Sequence, residues 1–121
     1  IVRGTQLKDT IRRLYDCGAR EVHMRPACPP LVYGCKFLNF SRSRSALDLA
    51  ARAAILELEG NGDKDLKAYA EDSSPRHATM VESIRKRLNL TSLGYQKLAD
   101  LVTSIGLPKE RLCTYCWDGA E

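Results

Sequence analysis

What most limits the fold of this chain lies near its start: an apolar stripe at helical spacing that meets a glycine and then an alternating apolar run. Leu7, Ile11 and Leu14 recur at steps of four and three, one face of an amphipathic helix. Thr5 is placed to cap that helix, and Gly18 to end it in a left-handed turn. Residues 21–25 follow, with Val22 and Met24 on one face and His23 on the other, the pattern of a short strand. Loop, helix and strand in that order make the second half of a βαβ unit, so a first strand is expected upstream of Ile1. The opening residues include no methionine, no charged leader and no apolar leader core, and the chain reads as a piece of a longer protein.

The remaining segments continue the helical theme. Residues 26–40 hold three prolines and a glycine and read as a loop. Ser45-x-x-Asp48 resembles a capping box opening a second helix to about Leu58, with Leu47, Ala51, Ala54 and Leu58 on one face and Gly60-Asn61-Gly62 as its stop. Residues 63–75 are polar and predict a short helix and a loop. Met80, Val81, Ile84 and Leu88 mark a third helix. Thr91 is expected to cap a last one, with Tyr95, Leu98, Val102 and Ile105 as its buried stripe and Gly106 as terminator. Residues 107–121 form a cysteine-containing tail. At 121 residues this is one domain, an α/β chain rich in helix with few strands of its own.

Composition removes several classes of protein. With 44% hydrophobic and 28% charged residues the chain is ordinary for a soluble globular domain, and no apolar run reaches the ~18–20 residues of a membrane span. A net charge of +4 is small and scattered, and the basic side chains of Arg42, Arg44, Arg85, Lys86 and Arg87 are not interleaved with aromatics as a nucleic-acid platform requires. Five cysteines without a secretory leader point to reduced thiols or metal ligands, and to the cytoplasm.

Two groups of residues could carry chemistry. Arg3-Gly4-Thr5 at a helix start offers an oxyanion free backbone N–H groups, the positive end of the helix dipole, close approach at glycine and a hydroxyl; an ordinary N-cap uses the same residues. Cys113 and Cys116, at C-x-x-C spacing, can share a metal, with Cys35 as a possible third ligand. Thioredoxin-like chemistry fits poorly, because that motif opens a helix after a strand. Cys17 falls late in the first helix and is expected in the core, and Cys28 is expected to be inert. His23 and His77 read as structural or solvated, neither having an acid–base partner nearby in sequence.

With those residues in hand, the chain resembles the C-terminal part of the amidophosphoribosyltransferase family. Ile1-Val2-Arg3-Gly4-Thr5 is similar to the end of that family's phosphoribosyl-pyrophosphate signature, with Gln6 where a second threonine is usual. Gly18-Ala19-Arg20-Glu21-Val22-His23 resembles its next turn and strand, and Pro29-Pro30 with Cys35 its proline–cysteine loop, although residues 36–40 depart from the usual sequence there. Leu93-Gly94-Tyr95 through Ile105-Gly106, then Cys113-Thr114-Tyr115-Cys116-Trp117-Asp118-Gly119, resembles its terminal helix and ending.

The resemblance implies the C-terminal part of a type I phosphoribosyltransferase domain, with residues of about 55–80 as an insertion. It implies a parent enzyme in which ammonia from glutamine displaces pyrophosphate from phosphoribosyl pyrophosphate, giving 5-phosphoribosylamine in the first step of purine synthesis. Arg3, Gly4 and Thr5 would line the 5-phosphate loop. Cys35, Cys113 and Cys116 would be three of four ligands to a [4Fe–4S] cluster. The fourth ligand, the acidic pair that serves the ribose and Mg²⁺, and the glutaminase domain would lie upstream. The parent would be a homo-oligomer, and the fragment alone inactive. The alternatives are a small zinc-binding interaction module using Cys28, Cys35, Cys113 and Cys116, and a basic helical nucleic-acid binder.

Overall fold

The structure, a computed structural model, describes residues 1–38 and 48–121. In chain order it contains α1 (Thr5–Asp16), β1 (His23–Met24), α2 (Ala50–Glu59), α3 (Leu66–Ala70), α4 (Pro75–Arg87), β2 (Ser92–Leu93), α5 (Leu98–Ile105), a 3-10 turn (Lys109–Arg111) and α6 (Tyr115–Asp118). The architecture is helix-rich α/β, with helices gathered about a two-stranded parallel sheet.

Helix α4 is the axis of the core. Its start is encoded locally: Ser74 Oγ accepts the Arg76 N–H at 3.2 Å, and Pro75 occupies the first helical position, where its missing N–H costs nothing. Arg85, Lys86 and Arg87 in the last turn face the negative end of the dipole. Met80 and Ile84 are fully buried, and Ile11 of α1, Ala51, Ala54 and Ile55 of α2, Tyr69 of α3, Val32 and Leu90 close around them. Tyr69 comes from the polar stretch 63–75; its ring fills the core while its hydroxyl donates to Glu59 at 2.7 Å. The segment 55–80 is therefore integral to the packing. In α2 the buried face runs through Ala51, Ala54 and Ile55, and Leu58 is exposed. The Ser45 capping box and Leu47 lie outside the described residues.

Helix α1 ends as expected, with Gly18 left-handed at φ 99°, but departs from expectation at its start and at Cys17. Thr5 is its first helical residue and caps nothing with its side chain; the N-cap is Gly4, at φ 84°. Cys17 is the C-cap residue and is exposed, not in the core, because it lies beyond the last buried turn. Ile11 is buried and Leu7 packs against the core, whereas Leu14 is exposed.

The sheet pairs His23 with Ser92 and Met24 with Leu93. Thr91 forms no helix cap. Its N–H donates to the Val22 carbonyl at 2.9 Å and its Oγ1 accepts the Val22 N–H at 3.0 Å, which draws residues 91–94 into the sheet. Helix α5 accordingly begins only at Leu98, whose N–H is accepted by Asp72 from a distant segment at 3.1 Å. The expected buried stripe is absent: no residue of α5 is buried. Gly106 ends it as anticipated. Among the described residues no helix is long and apolar enough to cross a membrane.

Candidate functional site

The first site is built at the start of α1. Gly4 adopts a left-handed conformation and so turns the chain from the extended entry into the helix. The Lys8 N–H makes the first helical bond, to the Gly4 carbonyl at 2.9 Å, which leaves the amides of Thr5, Gln6 and Leu7 without an intrahelical acceptor. The entry is anchored from α2, where the Ala50 N–H donates to the Val2 carbonyl at 2.8 Å. A cleft of about 240 Å³ is lined by Arg3, Gly4, Thr5, Lys8, Ala50, Ile84, Arg87 and Leu88, and a neighbouring one of about 380 Å³ by residues 1–7. Among the described residues no acidic side chain lines either cleft, and none occupies the first turn of α1. Three cations, a hydroxyl, first-turn amides and a helix dipole make this a place for an anion carrying several oxygens.

The second site joins the proline-rich loop to the tail. The N–H groups of Val32 and Tyr33 both donate to the Cys116 carbonyl at 3.0 Å, and the rings of Tyr33 and Tyr115 lie 5.6 Å apart. Gly119 is left-handed at φ 73°, and a Cβ there would lie 2.7 Å from Tyr33 Cζ, so only glycine lets the tail lie this close. Cys35 from the loop and Cys113 from the tail both bear on the Cys116 thiol. Burial first, then Cys35 and Cys113, push the Cys116 thiol up to about 11. Cys35 Sγ also accepts the backbone N–H groups of Leu38 at 3.2 Å and Phe37 at 3.4 Å.

Among the described residues no group of three or more His, Cys, Asp or Glu side chains is arranged to hold a metal ion. Cys28 is exposed and is not among the groups acting on Cys116, which disfavours the zinc module.

Two cradle residues escaped sequence reasoning. Arg87, set aside as one of a scattered basic set, lines the cleft at the end of α4, and Lys8 faces it one turn into α1. The only sequence signal for Lys8 was its position four residues after Gly4; nothing local connects Arg87 to residues 3–5. The histidines found partners. His23 Nδ1 lies 2.7 Å from Ser92 Oγ and its Nε2 2.9 Å from Glu21, while His77 is buried with Nδ1 2.8 Å from the Tyr69 carbonyl.

The frame is a helix-rich α/β one, with a cleft at the start of its first helix. Comparison with known proteins names the family. The chain is 31% identical over 119 residues to an amidophosphoribosyltransferase of Methanothermobacter thermautotrophicus and 32% identical over 120 residues to one of Mycobacterium tuberculosis, each match covering 98% of this chain. A third, from Pyrococcus horikoshii, is 42% identical over 69 residues, or 57% of the chain. Similarity along almost its whole length places the chain with the amidophosphoribosyltransferases. It spans 19%, 18% and 15% of the lengths of those three relatives. No family model matches it.

Proposed function

We propose that this chain is the 5-phosphate-holding part of a type I phosphoribosyltransferase domain, in an enzyme that transfers glutamine-derived ammonia to phosphoribosyl pyrophosphate. The observation that carries the reading is the acid-free cradle of Arg3, Gly4, Thr5, Lys8 and Arg87. Phosphate oxygens accept from the first-turn amides and the Thr5 hydroxyl, and the three cations balance their charge. The 5-phosphate does not react. Its binding energy holds the sugar so that C1 stays aligned for attack while pyrophosphate leaves.

On this reading the magnesium-binding acidic pair, the glutaminase domain and the oligomer contacts belong to the remainder of the longer protein. Cys35, Cys113 and Cys116 supply a partial ligand set for the family's iron–sulfur cluster; their convergence from the loop and the tail supports that assignment. Cysteines that form no disulfide suit a reducing compartment such as the cytoplasm.

The test is Thr5→Val in the full-length protein. Thr5 makes no side-chain cap bond, so the substitution removes a hydroxyl without removing a cap. Phosphoribosyl pyrophosphate binding should weaken by roughly 10- to 150-fold, the equivalent of ~1.5–3 kcal/mol for a hydrogen bond to a charged group. Unchanged KM and kcat would sink the assignment. The isolated chain should bind the ligand weakly or not at all.

A further inference from the structure

His23 stands between a hydroxyl and a carboxylate: its Nδ1 lies 2.7 Å from Ser92 Oγ and its Nε2 lies 2.9 Å from Glu21 Oε2. The serine arrives from 69 residues away, which is why sequence spacing hides the group. The parallel sheet brings the two together, since His23 and Ser92 are direct partners in its register. That register is locked on both sides of the pair. On one side the Thr91 N–H donates to the Val22 carbonyl at 2.9 Å while Thr91 Oγ1 accepts the Val22 N–H at 3.0 Å; on the other the Gly94 N–H donates to the Met24 carbonyl at 3.1 Å. A carboxylate only accepts, so Nε2 carries the imidazole hydrogen and Nδ1 turns a lone pair toward the serine hydroxyl. Hydroxyl, base and base-orienting carboxylate, each within hydrogen-bond reach of the next, are the working parts of nucleophilic acyl transfer.

We propose that Ser92, His23 and Glu21 form an acyl-transfer site that takes small activated esters. The His23 and Glu21 side chains are 48% and 66% exposed, so the site is open and selects its substrate by reactivity rather than by shape. Ser92 Oγ attacks the ester carbonyl carbon as its proton passes to His23 Nδ1. The tetrahedral adduct collapses, the bond from carbonyl carbon to the leaving oxygen breaks, and the leaving alcohol takes the proton from the imidazolium. Water then attacks the acyl-serine, giving one proton to Nδ1 and its hydroxyl to the acyl carbon, and Ser92 Oγ leaves with the proton. Ester and water become acid and alcohol, with no change in oxidation state. Glu21 touches neither reactant; it is a positioning residue that holds the ring in the tautomer the serine needs. Neither the phosphate reading nor the cysteine assignments enter this inference.

The test mixes the full chain with p-nitrophenyl acetate, follows p-nitrophenolate release by stopped flow, quenches with acid and maps the acetyl group by peptic digestion and tandem mass spectrometry. The expected result is a burst of p-nitrophenolate with the acetyl group on Ser92. Ser92→Ala should abolish the burst, and His23→Gln should slow acylation by roughly 100-fold or more, the range of a positioned base. Glu21→Gln should slow it too while leaving the acetyl group on Ser92. Far-UV circular dichroism checks that each variant folds, and where one does not, the adduct map of the parent chain decides alone. Acetyl groups confined to lysines, cysteines or the Ile1 amine would overturn the proposal, as would a burst of unchanged size and rate in Ser92→Ala.

Discussion

Gly4 does two things that no other residue type could do together. It turns the chain with φ at 84°, and it leaves room beside Leu88, whose Cδ2 would lie 3.2 Å from an added Cβ. Left-handed backbone costs other residues ~1–2 kcal/mol, and the leucine must give way as well. Gly4→Ala should therefore lower the urea midpoint by an amount equivalent to about 2 kcal/mol, with the slope unchanged. Arg52 is the other residue of consequence at this scale. It is buried in α2, donates to the Val32 carbonyl at 2.5 Å and to the Gly62 carbonyl at 3.3 Å, and pairs with the exposed Asp63. Truncation leaves the covered Val32 carbonyl without that donor, a cost of ~1–3 kcal/mol. Arg52→Ala should lower the melting temperature, whereas Asp63→Asn, which removes only an exposed partner, should scarcely move it; differential scanning calorimetry separates the two.

Among the elements, α2, α3 and α4 are tied by one polar knot. The Tyr69 hydroxyl first, and then Lys64, hold the Glu59 carboxyl below the usual range, against the opposing effect of burial; Arg76 adds its charge. Its stabilisation is present above the ordinary glutamate value and is lost as pH falls through the lowered native one. Burial first, then Glu59, raise the Tyr69 hydroxyl to about 12, so that contribution is intact below the ordinary tyrosine value of 10.0 and is lost as pH rises through about 12. Melting temperatures between pH 2 and 6 should fall less steeply for Glu59→Gln than for the parent, and Tyr69→Phe should blunt the alkaline loss. The same elements show what was legible in the sequence. Helices α1 and α4 carry their signal locally, in the spacing of Leu7 and Ile11 and of Met80 and Ile84. The cap of α5 is Asp72 and the partner of Thr91 is Val22, both remote, so a threonine that looked like a helix start became part of a strand. The sequence offered Arg3-Gly4-Thr5 at the start of α1; Arg87 lines the same cleft only through the packing of α4 beside α1.

Over the whole molecule, stability is uneven. Among the described residues the buried cluster gathers around α4, while α5 contributes no buried residue despite its apolar Leu98, Leu101, Val102 and Ile105. Native-state hydrogen exchange should find the slowest amides in α4 around Met80 and Ile84, with α5 exchanging far sooner; equal protection in the two helices would contradict this packing. The clamp of Val32 and Tyr33 on Cys116 has a consequence in time as well as space. Synthesis delivers the proline-rich loop long before the tail, so Val32, fully buried in the finished molecule, waits uncovered while most of the chain is still being made. Closing so long a loop also carries the larger entropy cost and belongs to the slow end of folding. A nascent chain halted before the tail has left the ribosome should therefore present the cysteine loop to solvent, chaperones and oxidants alike, and the window closes only when α6 arrives.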